Sequence, residues 1–272
     1  MKNKIIVIGR KSFLGSNLCL YLKKKNFILN VDYKTFIKKK LIIINNFDYV
    51  INCTSNHDYI ENKYLKKNDF DLAIANKIKK LNIKMIMLSS RKVYKNGINL
   101  KETSTLNPIS NYSKNKLKTE KALLEILKKK ILILRISNVI GLNKKKHNKL
   151  HKLFIDVFFE NIKKGIIFNN KKSYKDFIQV TKFCEIVEKL ITLNVYGVYN
   201  ISIGKKIFLK KIVSWLNLYN KKKVRYVNLN EYQSDNFTLN NDKLMNTIKI
   251  KNTSQDLKEY CIRLSKELFK DV

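Results

Sequence analysis

Proline occurs once in 272 residues and glycine only seven times. That excludes collagen-like and Pro-rich architectures, and it excludes a Gly/Ser-type flexible linker between two halves. No apolar run approaches the ~18 residues that a membrane-spanning helix needs, so no membrane insertion is expected. The first residues lead straight into a strand pattern rather than a basic-then-apolar secretory leader, and a cytoplasmic location is expected. Cys19, Cys53, Cys184 and Cys261 show no paired spacing. A disulfide framework is excluded and reduced, mostly buried thiols are expected. Acidic residues are scarce too, 21 against 57 Lys plus Arg, giving a formal net charge of +36.

A basic excess of this size raises the question of nucleic acid. Arginine, the residue suited to bidentate phosphate and base contacts, is nearly missing, however. The five are Arg10, Arg91, Arg135, Arg225 and Arg263. The remaining cations are lysines in runs such as Lys23-Lys24-Lys25, Lys128-Lys129-Lys130 and Lys221-Lys222-Lys223, where solvated helix faces and turns should lie. Abundant Lys, Ile and Asn beside scarce Pro and Gly is also what an AT-rich genome would produce. The charge is therefore read as a solvated surface that helps attract a doubly anionic ligand. No specific nucleic-acid partner is expected, only weak binding at low salt. His147 and His151 lie four apart, but with no Cys or acidic cluster beside them no metal site is expected.

The informative residues begin at Lys4-Ile5-Ile6-Val7-Ile8, a β-branched run of the kind that makes a buried parallel strand. Gly9-Arg10-Lys11-Ser12-Phe13-Leu14-Gly15 follows as a turn into a helical pattern. A glycine turn between strand and helix lets backbone N–H groups approach a pyrophosphate, which the helix N-terminus favours. Ser12 stands where the usual pattern has its middle glycine, and serine is small enough to permit the approach. About seventeen residues after Gly15, a second apolar run ends in Asp32, an acid suited to a ribose hydroxyl pair. Further on, Tyr112 and Lys116 are four apart, hence on one helix face. A phenol titrates near pH ~10, and a neighbouring ammonium favours the phenolate, which fits it for proton transfer. Ser90 supplies a hydroxyl to hold a substrate oxygen.

Together these residues resemble the extended short-chain dehydrogenase/reductase family, the NAD-dependent epimerases, dehydratases and keto-reductases of sugar nucleotides. The likeness runs through most of the chain. Asp48-Tyr49-Val50-Ile51-Asn52-Cys53 looks like the family's fourth strand, and Ile86 to Tyr94 like its fifth, with Ser90 at the catalytic Ser/Thr position. Glu102, Pro108 and Asn111-Tyr112 to Lys116 follow at the usual distance. Arg135 to Gly141, Asp176 to Val180 and Gly197 to Ile201 are similar to later family signatures. The resemblance implies a Rossmann-like, doubly wound parallel α/β sheet. It implies Tyr112 as general acid/base, Lys116 as its tuning partner and nicotinamide-ribose contact, and Ser90 and Asn138 as substrate contacts. The cofactor site is Gly9, Lys11, Ser12, Phe13, Leu14, Gly15 and Asp32, with Tyr112 and Lys116. Asp32 favours NAD, whereas Lys11 sits where some reductases carry a basic residue for NADP. A nucleotide-sugar substrate is implied, and a homodimer through helices near 67–81 and 112–129.

Alternating patterns place strands at 4–8, 27–31, 49–53, 84–88 and 131–135, with helices near 16–25, 67–81 and 112–129. The stretch 33–46 reads as strand or helix. Beyond it, helices are expected near 149–164, 180–192, 208–219 and 254–269, with a strand at 197–201. Residues 1–141 are expected to form the dinucleotide-binding domain. Residues 142–272 should form mainly a smaller substrate-binding region, with elements returning to the sheet. Dehydratases of the family carry an Asp-Glu pair directly after the catalytic Thr, and here Arg91 and Lys92 take those places, which disfavours elimination. The compact length and short 33–46 segment point to a 4-keto sugar reductase. A nucleotide-sugar epimerase with tightly held NAD is the alternative, and a non-catalytic nucleotide- or RNA-binding member the second.

Overall fold

The computed structural model describes residues 2–142, 154–169, 172–228 and 235–270. In chain order the elements are β1 (Lys4–Ile8), α1 (Phe13–Leu22), β2 (Phe27–Val31), α2 (Tyr33–Lys38), α3 (Leu41–Ile44), β3 (Tyr49–Asn52), α4 (His57–Glu61), α5 (Phe70–Ile78), β4 (Lys84–Ser90), α6 (Asn111–Leu127) and β5 (Ile131–Ile136). Then come β6 (Asn138–Ile140), α7 (Phe154–Lys163), β7 (Ile166–Asn169), β8 (Tyr174–Lys175), β9 (Phe177–Gln179), α8 (Val180–Thr192), β10 (Gly197–Ile201), β11 (Ile207–Phe208), α9 (Leu209–Leu216), β12 (Arg225–Asn228), α10 (Asp242–Ile248) and α11 (Ser254–Leu268).

Six strands form the central sheet in the order β10-β5-β4-β3-β1-β2, and the pairings from β2 through β5 are all parallel. Burial follows the period of two that a pleated strand imposes. Ile6 and Ile8, Val50, Met85 and Met87, Ile131 and Ile133 share one cluster with Leu72, Ile74 and Ile78 of α5 and Leu123 and Leu127 of α6. The alternate residues Ile5, Val7, Ile51 and Ile86 are equally buried, as expected for strands covered on both faces.

All five early strands form where expected, with small differences at their ends. β4 runs on to Ser90, because Ser89 and Ser90 keep pairing with Arg135 and Ile136 of β5. Helix ends depart further, and the caps explain why. α1 starts at Phe13 rather than 16, since Ser12 Oγ accepts from Gly15 N. α5 covers only part of 67–81, because Asp69 caps it through Leu72 N and residues 66–68 form a 3-10 turn. α6 is capped by Ser110 and ends before Lys128, whose φ is +51°. Segment 33–46 forms the two short helices α2 and α3 and leaves β2 at the sheet edge. The expected helix at 149–164 is observed as Phe154–Lys163, and 149–153 lie outside the described residues. Among the described residues no helix is long and apolar enough to cross a membrane.

The chain divides into two compact units. One comprises residues 1–95, 104–136 and 184–200, and the other 96–103, 137–183 and 201–272. The second unit is pinned by the fully buried Asp176, whose carboxylate accepts from Gly204 N at 3.2 Å and Leu239 N at 3.0 Å. Burial pushes this carboxyl up to about 7, against the pull of those donors. The folded state therefore retains a proton that the unfolded chain releases near pH ~4. Stability from this group is highest at low pH and is lost as pH rises toward 7. Asp176→Asn turns an amide N–H toward backbone N–H donors and should cost ~1–3 kcal/mol at pH 5. Thermal unfolding should show the gap in Tm between the two proteins narrowing from pH 5 to 8. A gap that widens with pH would mean that the native site prefers the charged carboxylate.

Candidate active site

The turn after β1 is built by mutual satisfaction of its own backbone. Gly9 has φ +110°, and its carbonyl accepts from Ser12 N at 2.9 Å and from Ser12 Oγ at 2.9 Å. Ser12 Oγ in turn accepts from Gly15 N at 3.0 Å. The serine in the middle-glycine position is thus the N-cap of α1, and the N–H groups of Phe13 and Leu14 stand at the helix start as outward donors. A Cβ on Gly15 would run into the Gly9 carbonyl oxygen and come within 2.7 Å of Ser12 Oγ. On Gly9 it would lie 3.0 Å from the Cys53 backbone. The residues fit a pyrophosphate against this turn, since only glycine leaves the backbone open. Asp32 is exposed and caps α2, accepting from Thr35 N at 2.8 Å and Thr35 Oγ1 at 3.0 Å. Those hydrogen bonds, the backbone one first, hold its carboxyl below the usual range. Lys11 is exposed.

Ser110 caps α6 through Ser113 N at 3.2 Å, which fixes the helix phase that carries Tyr112 and Lys116. Tyr112 is half-buried. Lys116 is buried, and its Nζ lies 3.1 Å from Asp71 Oδ2, both side chains being 4% exposed. Burial alone would lower the Lys116 pKa. The charge of Asp71, the Tyr59 and Tyr112 phenols and the Asp71 hydrogen bond outweigh it and raise the value above the ordinary one. Nζ also sits 5.5 Å from the centroid of the Tyr59 ring. Tyr59 itself is held protonated by burial and shares a 2.7 Å hydrogen bond with Thr119.

Ser90 ends β4 and caps the turn Arg91–Val93, its Oγ accepting from Lys92 N at 3.2 Å, so that its own O–H remains a donor. Ser89 takes the opposite side of the strand, where it bonds Glu120. The element bearing Ser90 packs against α6. Ser90, Tyr112, Lys116, Asp32 and the Gly9–Gly15 turn all belong to the first unit. Asn138 belongs to the second, where its Nδ2 donates to the Asp176 carbonyl at 3.2 Å. His147 and His151 lie outside the described residues. Among those described, no group of three His, Cys, Asp or Glu is placed to hold a metal.

Two buried clusters were not foreseen from sequence. Asp71 pairs with Lys116 and accepts from Asn52 Nδ2 at 2.7 Å. Arg135 forks onto Glu120 at 2.7–3.3 Å and donates to Tyr94 Oη at 2.9 Å, while Tyr94 donates to Asn200 Oδ1 at 2.8 Å. The signals existed. Arg135 is one of five arginines and lies inside an apolar run, and Glu120 continues the Tyr112–Lys116 helix face.

The sequence matches the model of the NAD dependent epimerase/dehydratase family over residues 5–202. The chain belongs to this family of enzymes. No curated protein matches it at the level of sequence. Among solved structures it is similar to UDP-N-acetylglucosamine 4-epimerase from Methanobrevibacter ruminantium M1, with 21% identity, TM-score 0.83 and all of both chains covered. It is similar to dTDP-glucose 4,6-dehydratase from Bacillus anthracis str. Ames, solved with NAD, at 18% identity and TM-score 0.75, covering 99% of this chain and 98% of that one. RMD from Pseudomonas aeruginosa complexed with NADPH is matched at 15% identity and TM-score 0.75 over the whole of both chains.

Gly15→Ala forces the backbone of this turn apart and should cost ~1–3 kcal/mol, as overpacking does. It should also abolish the rise in Tm that NAD or NADH gives the unaltered protein. Equal ligand-induced shifts in both proteins, read by differential scanning fluorimetry, would place the dinucleotide elsewhere.

Proposed function

We propose that this chain oxidises and re-reduces a ring carbon of a nucleotide-linked sugar, as a nucleotide-sugar epimerase does, with Tyr112 as the proton-transfer group. The observation that carries the reading is the inner face of α6. There Tyr112 stands one turn before a lysine that is buried, charged and fixed. When bound, the nicotinamide accepts and returns hydride. Tyr112 takes the proton from the sugar hydroxyl as hydride leaves its carbon and restores it on return. Lys116 stabilises the phenolate, and two of its N–H groups remain for the ribose hydroxyls. The free O–H of Ser90 bonds the same sugar oxygen.

Epimerisation fits the likeness to a 4-epimerase. Arg91 and Lys92, where dehydratases have an acid pair, speak against elimination. Asp32, ionised at neutral pH, repels a ribose phosphate and favours NAD over NADP. A 4-keto sugar reductase remains the second reading, favoured by the two short helices at 33–46 in place of an added edge strand.

Incubation with UDP-, GDP-, dTDP- and CDP-sugars separates the two. An epimerase interconverts sugar isomers with no net change in nicotinamide absorbance. A reductase consumes NAD(P)H only when a keto-sugar is supplied. Tyr112→Phe should lower turnover roughly 10²–10⁴-fold while leaving NAD-induced stabilisation nearly intact. Full activity of that variant would end the assignment.

The homodimer expected through α5 and α6 belongs to the same proposal. The solvent side of α6 carries the exposed Lys114, Lys118 and Lys121, so two copies repel across it until salt screens them. Light scattering should show the dimer fraction rising between about 50 mM and about 500 mM salt. A monomeric mass at both would remove the dimer.

A further inference from the structure

Helix α5 brings one acid to Lys116, and nothing in the proton transfer itself accounts for it. Asp71 lies in the first turn of α5 and is 3% exposed. Its two oxygens are separately engaged, Oδ1 by Asn52 Nδ2 at 2.7 Å and Oδ2 by Lys116 Nζ at 3.1 Å. Asn52, itself buried at the end of β3, is further fixed by the Thr54 N–H and carbonyl at 3.2 Å. The order is thus strand end to asparagine, asparagine to carboxylate, carboxylate to ammonium. A lysine side chain has several rotatable bonds and makes a poor fixed point unless held.

We infer that Asp71 is the positioning residue for Lys116, setting the place and the protonation of the ammonium that serves both Tyr112 and the nicotinamide ribose. This deepens the proposed function and rests on it. The ionisable groups that face Lys116 are Asp71 from α5, Tyr59 from α4 and Tyr112 from its own helix. Asp69 lies behind Tyr59 and Thr119. Of the charges that raise the Lys116 pKa, Asp71 is the largest, opposing the burial that lowers it. Without that carboxylate, burial prevails and the ammonium loses its proton at lower pH. Asp71 makes one contact with Lys116 and leaves two N–H donors, so it orients the group without consuming it.

The test titrates NADH fluorescence against the unaltered protein, Asp71→Asn, Lys116→Met and the double variant from pH 6 to 10. Asp71→Asn should weaken NADH about tenfold, the scale of a lost charge-assisted hydrogen bond. Its high-pH loss of affinity should begin at least about one pH unit earlier than in the unaltered protein. In the Lys116→Met background the same substitution should add nothing, because the residue it acts through is gone. A merely structural tie would lower Tm but leave the pH at which affinity falls unmoved, and its effect would persist in that background. Asp71→Asn binding like the unaltered protein at every pH, while Lys116→Met still weakens NADH, overturns this inference and leaves the proposed function standing. Failure of the unaltered protein to bind NADH overturns both. Should Asp71→Asn fail to fold, Asn52→Ala decides, since it keeps both charges. Roughly threefold weaker NADH binding supports the inference, and unchanged binding sinks it.

Discussion

Lys116 is a cation with almost no water, and that one circumstance constrains much around it. Removing an ammonium from solvent costs several kcal/mol unless a counter-charge in good geometry offsets it. Asp71 supplies that charge, and a carboxylate near a helix N-terminus is itself favoured by the unpaired N–H groups there. Satisfying Asp71 then requires Asn52, which fixes the end of β3 against α5. Thr119, one turn beyond Lys116 on α6, bonds Asp69 and Tyr59 and extends the polar layer. A buried pair of this kind is weak evidence of stability against an apolar alternative. Its value here is placement: α4, α5, α6 and β3 must meet in one register for every polar atom to find a partner.

A second buried pair does the same one turn further along that face of α6. Arg135 on β5 is forked onto Glu120, with Tyr94 and Asn200 completing the chain to β10. The guanidinium is used where planar, bidentate geometry matters. Arg91 is also buried. In a chain whose basic residues are overwhelmingly lysine, two of five arginines are inside. The lysines of the runs at 23–25 and 221–223 are exposed, and the formal charge of +36 is therefore mostly a property of the surface rather than of the site.

Much of the fold was legible because its physics is local. Short β-branched runs bounded by polar turns became buried parallel strands at the expected positions, since both faces of such a strand must be apolar. Helix starts depend on a single capping side chain. Ser12 and Asp69 each accept from a backbone N–H, so α1 begins earlier than its apolar pattern and α5 later, while α6, capped by Ser110, begins within one residue of the expected start. The composition of Leu41–Ile44 suits a strand as well as a helix, which leaves 33–46 open in the sequence. It is helical where Asp32 caps one turn and no partner strand is offered, leaving Leu41, Ile42 and Ile43 partly in solvent.

By itself the sequence determined the alternation of strands and helices, the glycine turn, and the Tyr112–Lys116 face, because periods of 2 and 3.6 and the absence of a Cβ act within a few residues of one another. It distinguished Ser90 from Ser89 only through family likeness; the pleat makes the difference physical, sending Ser89 to Glu120 and leaving Ser90 free to donate. Only the tertiary structure decided which acids meet which cations. Asp71 and Lys116 are 45 positions apart, and Arg135 and Glu120 are 15. Coulomb energy depends on distance in space and on the exclusion of water, and neither is written in the spacing of residues along the chain.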